Sequence, residues 1–303
     1  MRLRQVEYFV AVVEAGSITQ AAANMYLAQP SLSHQITTLE KELGGSLFER
    51  LPRGLRLTPA GRAFLVEAKR IVADVARAKR SVQAVTDGIL GELEIATVTS
   101  LAVGIVPSVA SSWRRSHPKV SLRLHEHTHV DRLEESVLGG VGDFAFGPVP
   151  RRPMGEVIDV GSEEFVFVLP PDDPLAGERA VDPSELRDRG WVLYDPAHGL
   201  SVIVSKVCSA FGFSPLDAVR TSQVETAARL AAAGLGPALL PANVIPANID
   251  AVVLPATRPL IRRLAAYSRS PMPTIVQSFV EEIKDPRHGL SVNVDESESV
   301  FEL

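Results

Sequence analysis

Cysteine is almost missing from this chain. Cys208 is its single thiol, so no intrachain disulfide can form and no multi-cysteine metal site can be assembled. That usage predicts a reducing compartment, the cytoplasm. No apolar run reaches bilayer length, so no membrane span is expected. The opening MRLRQVEYFVAVVEAGS has a short apolar centre interrupted by Glu7 and Glu14 and does not read as a signal peptide. The glycine fingerprints of nucleotide chemistry are absent too. There is no P-loop, no dinucleotide motif after the first strand of the body, and no G-x-S-x-G turn. Asp143 and Glu164 stand alone rather than as a set with roles. No catalytic residue, metal site or cofactor is therefore expected, and a two-subdomain α/β enzyme remains only as a competing class without a mechanism.

What is present is a well-cored chain of 303 residues, 46% apolar, with a mean hydropathy of +0.12. That length holds two or three domains. Residues 1–90 carry 12 Lys+Arg against 8 Asp+Glu, a balance of +4, and residues 91–303 carry 19 against 28, a balance of −9. A basic head on an acidic body is expected when only the head meets DNA.

The head is organised around residues 17–61. Ser17 is placed to cap a short helix, and Ile18, Ala21, Ala22 and Met25 give it one apolar face. Tyr26, Leu27 and Ala28 make a junction. Pro30 then sits in the first turn of a second helix. Leu32, Ile36, Leu39 and Leu43 form its buried stripe, and Gly44-Gly45 supplies a left-handed end. The other face carries Gln29, Ser31, Ser33, His34, Thr37, Thr38 and Lys41, which suit base edges in a major groove. A hairpin follows with Arg50, Arg53, Gly54 and Arg56, placed to reach phosphates. Before it all, Leu3, Val6, Phe9, Val10 and Val13 give an opening helix one core face. The whole reads as a winged helix-turn-helix over residues 1–58.

From Thr58-Pro59 a long helix is predicted over 59–89. Phe64, Ala68, Ile71, Val75, Ala78, Val82 and Val85 recur at alternating spacings of four and three. A seam of that length calls for a partner helix, unless the helix packs on its own chain. Beyond Gly88–Gly91 strands alternate with helices, which implies a mainly parallel sheet covered on both faces. Strands are expected at ELEIATV, VSLRLHEHT, DFAFGP, EFVFVLPPDDPLA, WVLYD, 218–224, PALLP and LAAYSR. Helices are expected at 100–116, 130–139, 183–190, 200–211, 226–234 and 273–284.

The run A-A-x-x-M-Y-L-A-Q-P-S-L-S-H-Q-I-x-x-L-E-x-x-L-G-x-x-L-F-E-R, followed by L-T-P-A-G, resembles the N-terminal domain of LysR-type transcriptional regulators. The similarity continues through GDFAFGPVP, FVFVLPPDDPLA and AARLAAAGLGPALLP, covering about residues 1–285. One departure is Ala28, where the family usually has Ser, so Gln29 or Ser31 is left to cap the recognition helix. The resemblance implies that 59–89 is the linker helix pairing two subunits. It implies an effector domain over 90–286 like periplasmic solute-binding proteins. Subdomain I would hold 90–162 and 266–286, and subdomain II 163–265, with crossings near 161–164 and 264–267. Residues 287–303 fall outside the resemblance and read as a flexible acidic tail.

In such a body ligands bind at the carboxyl ends of the strands. Thr99, Ser100 and Leu101 after the first strand offer hydroxyls and free N–H groups. The family places this turn in the effector cleft. Thr128, with Phe146, Gly147 and Pro148, faces the same place, as do His198, Gly199, Leu200 and Ser201 opening one helix and Gln223, Val224 and Glu225 ending a strand. No arginine cluster points to a dianion, and the expected ligand is a small, partly apolar organic acid. His125, His127 and His129 share a strand period, which reads as interfacial histidines rather than a metal set. Cys208 falls on an apolar helix face with Val204, Val207 and Phe211. The expectation is a ligand-responsive regulator on an inverted-repeat promoter, a dimer or a tetramer, with RNA polymerase as a further partner and no membrane. A ligand-independent architectural DNA binder is the other alternative, disfavoured by the large acidic body.

Overall fold

The computed structural model describes residues 1–50, 55–86, 91–291 and 301–303. Arg53 and Gly54 at the wing tip, the end of the long helix at 87–89, and 292–300 of the tail lie outside them, as do the side chains of Arg50, Val82 and Val85. The chain divides into two compact units, Met1–Gly91 with Leu138–Val141, and Glu92–Val137 with Gly142–Leu303.

The first unit opens with α1 (Leu3–Ala15), stopped by Gly16 at φ 64°. Val6, Phe9 and Val10 are buried as the periodicity requires, together with Tyr8 and Val12. Leu3 is exposed instead, because the first turn of α1 overhangs the core. Ser17 caps α2 (Ile18–Asn24) by accepting from Gln20 N–H, and Ala21 and Ala22 are buried. Tyr26 takes φ 55° at the junction, a conformation that glycine usually supplies. Then α3 (Gln29–Leu43) begins at Ala28 with no side-chain cap, so neither Gln29 nor Ser31 fills that role. Leu32, Ile36 and Leu39 are buried, but Leu43 is 42% exposed, since the helix has by then passed the edge of the core and turns at Gly44.

The wing is β1 (Phe48–Arg50) paired antiparallel with β2 (Leu55–Leu57). After it runs α4 (Pro59–Thr86), 28 residues long. Its early seam residues Phe64, Ala68 and Ile71 pack into the core of this same unit, with Leu65 and Val72. Phe9 anchors that core, with ring centroids 5.2 Å from Phe48 and 5.0 Å from Phe64. The early part of the seam expected to call for a partner helix is therefore filled within the chain. Ala78, further along, is exposed.

In the second unit β3 (Glu92–Val98) leads to α5 (Thr99–Gly104) and α6 (Val106–Ser116). The single helix expected over 100–116 breaks at Ile105, two residues before Pro107, which cannot donate the next backbone bond. Then come β4 (Ser121–His127), α7 (Val130–Leu138), β5 (Phe144–Pro148) and a long β6 (Glu156–Leu169). A 3-10 turn at Pro183–Leu186 replaces the expected 183–190 helix. It is followed by β7 (Gly190–Tyr194), α8 (Gly199–Ala210), β8 (Leu216–Thr221), α9 (Val224–Ala232) and β9 (Ala238–Pro241). The unit closes with β10 (Val252–Ser268), α10 (Thr274–Ile283) and β11 (Phe301–Glu302).

The sheet order is β4-β3-β5-β10-β6-β9, with β11 also on β10, and β7-β8 apart. β3, β4 and β5 are mutually parallel, but β6 and β10 run antiparallel to each other and to their other long neighbours. The mainly parallel expectation thus holds only within the flanks. β6 and β10 are the two crossings. Ser162 pairs Arg263 and Glu164 pairs Ile261, so the return crossing lies at 261–264, three residues before the expected 264–267. Gly161, at φ 108°, lets β6 bend there without ending. One core packs around Leu93, Phe144, Phe146, Tyr267 and Phe279, the other around Phe165, Trp191, Tyr194, Leu239 and Leu260. The two cores are the two subdomains.

The tail departs from expectation. Ser291 exchanges backbone hydrogen bonds with Ser162 at 3.0 and 3.1 Å, and Leu290 is buried. Phe301–Glu302 pair with β10. Both described ends of 287–303 are held by a crossing strand that offered free backbone groups.

Candidate DNA face and inter-subdomain cleft

On α3, Gln29, Pro30, Ser31, His34 and Lys41 are exposed, while Ser33, Thr37 and Thr38 are half-buried. Thr37 Oγ1 donates to Ser33 O at 3.0 Å and Thr38 Oγ1 to His34 O at 2.9 Å. Their hydroxyl protons are spent on the helix, so both face outward as acceptors or methyl contacts. Gln29, Ser31 and His34 keep free donor capacity. On the wing Arg56 donates to Glu49 at 2.6 and 3.0 Å, which partly neutralises it.

The cleft of the second unit is a cavity of about 270 Å³. Val98, Thr99, Ser100, Thr128 and Pro148 line it from subdomain I, and His198, Gly199 and Leu200 from subdomain II. Arg262 and Arg263, from the crossing β10, close its base. At that base Ser100 Oγ accepts from Arg262 Nη2 at 3.1 Å. Arg262 Nε donates to Glu163 Oε1 at 2.7 Å, and Asn243 Nδ2 to Glu163 Oε2 at 2.6 Å. Ser100 belongs to subdomain I, Asn243 to subdomain II, and the buried ion pair lies on the two crossings. Arg263 also pairs with Asp159. Across the mouth, Gly199 N–H donates to Thr128 O at 2.8 Å. Thr99 Oγ1 donates to His127 O at 3.2 Å, so it meets the cleft as an acceptor.

His198 is the cleft's most informative side chain. Its Nδ1 accepts from Leu200 N–H at 3.2 Å and so caps α8. That bond assigns the proton to Nε2, which is buried and has no partner among the described residues. The ring stacks on Tyr194, with centroids 5.1 Å apart. Burial holds its pKa below the ordinary value, with the nearby Arg262 and His129 acting in the same direction against Asp195. Sequence reasoning placed His198 at the helix start facing the cleft, without giving it a chemical role. It missed Arg262 and Arg263, although a basic pair ahead of an apolar strand must turn one arginine inward.

Of the expected cleft residues, Thr99, Ser100, Thr128, Pro148, His198, Gly199 and Leu200 line the cavity. Leu101, Phe146 and Val224 are core side chains instead, because each points to the sheet or helix side at its strand or helix end. Gly147, Ser201, Gln223 and Glu225 do not line it either; a Cβ on Gly147 would meet Leu133. His125 and His127 keep the strand period on β4, with His125 paired to Glu94 at 3.1 Å, while His129 lies past the strand's end and accepts from Asp131 N–H. Cys208 is buried with Val204 and Val207, and burial pushes its thiol up to about 12.

A winged helix-turn-helix joined to a two-subdomain α/β body with a cleft between its halves defines a DNA-binding regulator that answers to a ligand. Residues 3–62 match the family model described as bacterial regulatory helix-turn-helix protein, lysR family, and residues 86–286 the LysR substrate binding domain. The chain belongs to the LysR family of transcriptional regulators. It is 40% identical over 214 residues to the regulator TfdT of Cupriavidus pinatubonensis, covering 70% of this chain and 92% of that protein. It is 30% identical over 268 residues to the dual regulator GltC of Bacillus subtilis, covering 87% and 89%. The crystal structure of full-length CbnR with its target DNA matches with a TM-score of 0.69 at 26% identity, covering 95% of this chain and all (100%) of that one. These curated relatives are named as transcriptional regulators. Among the described residues no helix is long and apolar enough to cross a membrane.

Proposed function

We propose that this LysR-type regulator binds an inverted-repeat promoter site through two winged units and responds to a small organic acid in the inter-subdomain cleft. The observation that carries the ligand class is the buried, unpartnered His198 Nε2–H, in a wall shared with Arg262 and the Ser100 hydroxyl. A buried donor without an acceptor is unfavourable and is satisfied by a ligand oxygen. A carboxylate meets that donor and the paired Arg262 guanidinium at the base together, and the apolar Val98, Pro148 and Leu200 suit a short hydrocarbon body. Such a ligand touches both subdomains, so its affinity differs between open and closed forms and it shifts their balance. On the DNA side, the donors of α3 read base edges and the basic wing contacts phosphates. CbnR, whose structure contains its target DNA, supports this assignment. Two copies are joined through the later seam of α4, as a dimer or a tetramer of dimers.

The test is a promoter gel shift with a panel of small acids. His198→Asn keeps the helix cap and moves the ring donor away. It is expected to retain promoter binding while shifting the acid response to higher concentration by about tenfold, as loss of one hydrogen bond of about 1.4 kcal/mol implies. An unchanged response curve would overturn the assignment of the cleft donor. His34→Ala should relax site selectivity, and wild-type selectivity in that variant would overturn the assigned DNA face.

A further inference from the structure

The segment Phe301–Leu303 occupies an edge that the rest of the sheet leaves open. β6 lies along one side of β10 from Leu260 to Ser268. On the other side β5 pairs only from Leu264 to Tyr267. Leu260 and Ile261 therefore present unused backbone groups on that side, where a further strand can add. β11 takes the place in parallel, with Leu260 opposite Phe301 and Ile261 opposite Glu302. Leu303 N–H donates to Ile261 O at 2.9 Å. The added strand continues the line of β5 past Pro148, which is where the cleft opens.

Side chains hold it there. The Phe301 ring lies 5.7 Å from Lys206 Nζ and 5.6 Å from the Arg258 guanidinium. Lys206 Nζ also donates to Glu302 O at 3.0 Å. Phe301 and Leu303 pack on the subdomain II core. Glu302 and Leu303 then line the same cavity as Thr99, Thr128, Arg262 and Arg263.

We propose that residues 301–303 are a built-in peptide ligand of the β10 edge, forming one wall of the cleft and competing with an incoming anion. The competition has two parts. The backbone and Leu303 side chain fill the rim, and the Glu302 carboxylate repels an anion approaching the arginines. A short strand with few ladder bonds belongs to the easily opened end of the stability range. The anion thus displaces it at modest cost, while tethering returns it at high effective concentration when the anion leaves. The charge part rests on the acid-effector reading; the docking part does not.

Two measurements on the full chain test this. First, the double variant Ile261→Cys with Glu302→Cys should close to a disulfide under a glutathione redox buffer in most molecules. Val253→Cys with Glu302→Cys, about 26 Å further along the strand at 3.3 Å per residue, should stay reduced. Equal closure in both, or none in the first, overturns the docking. Second, Val202→Cys places a thiol at a residue that lines the cleft, while the native Cys208 is buried and silent. Adding Phe301→Ala should speed its reaction several-fold with both neutral methyl methanethiosulfonate and anionic dithiobis-nitrobenzoate. Adding Glu302→Gln should speed the anionic reagent alone. Unchanged rates in the Phe301 variant overturn the wall, and no charge selectivity in the Glu302 variant overturns the competition. A failure of the acid-effector reading would leave the disulfide and neutral-reagent results standing.

Discussion

Removing Arg262 should do more damage than any surface charge on this protein. Arg262 is 7% and Glu163 3% exposed. They meet at 2.7 Å across β6 and β10, the two strands that cross between the subdomains. Arg262→Met keeps the stem over the Phe165 ring, which the guanidinium faces at 5.1 Å, but deletes the charge. Glu163 is then left with only the Asn243 amide at 2.6 Å. Breaking a buried pair from one side costs about 3–5 kcal/mol, because the surviving charge stays desolvated. Glu163→Gln should cost a similar amount for the mirror reason. The double variant holds no uncompensated charge and should cost less than the sum by about 2 kcal/mol. Urea unfolding followed by tryptophan fluorescence reads this body selectively, since Trp113 and Trp191, the two tryptophans of the chain, sit one in each subdomain core. A loss below about 1 kcal/mol for Arg262→Met, or strictly additive losses, would refute the reasoning that the pair is the internal strap.

Three further outcomes follow from the same geometry. His127 and His198 are both held below the ordinary histidine pKa, chiefly by burial. The unfolded chain therefore takes up protons first, and stability should be full above about pH 6.5 and fall as pH drops below it; His198→Asn should flatten that fall in chemical denaturation, and an identical pH profile would contradict the assignment. Val75→Asp should dissociate the dimer by light scattering at micromolar concentration while leaving the winged unit folded by circular dichroism, because Val75 lies beyond the seam residues used by the unit's own core; a dimer of wild-type mass would refute the seam. Gly236→Ala should destabilise the body strongly, since a Cβ there would lie 1.8 Å from Gly190 O at φ 131°; a wild-type melting temperature would show that this close approach relaxes.

The comparison of Ile71 with Val75 shows where sequence reasoning stops. Both fall on one four-three seam, and periodicity treats them alike. Only the path of α4 over the winged unit shows that Phe64, Ala68 and Ile71 meet Phe9 and its neighbours before any second copy does. Leu3 and Leu43 fail in the same way: helical spacing says which face they share, not how far the core extends beneath it.

The sequence by itself determined the local elements and the family. Caps, glycine stops, the apolar stripe of α3 and the strand alternation are short-range effects, set by backbone sterics and side-chain spacing within a few residues. The charge division between head and body is likewise a property of order along the chain. Tertiary structure alone decided what meets across distance. Arg262 and Ser100 are separated by 162 positions and touch at 3.1 Å, and no periodicity encodes that. The antiparallel run of β6 against β10 set which arginine turned inward. It also left one edge at Leu260–Ile261 uncovered and so drew in a tail whose composition read as flexible. Long-range pairing of this kind depends on how loops close and which backbone groups remain unmatched, and those are decided only when the sheet is assembled.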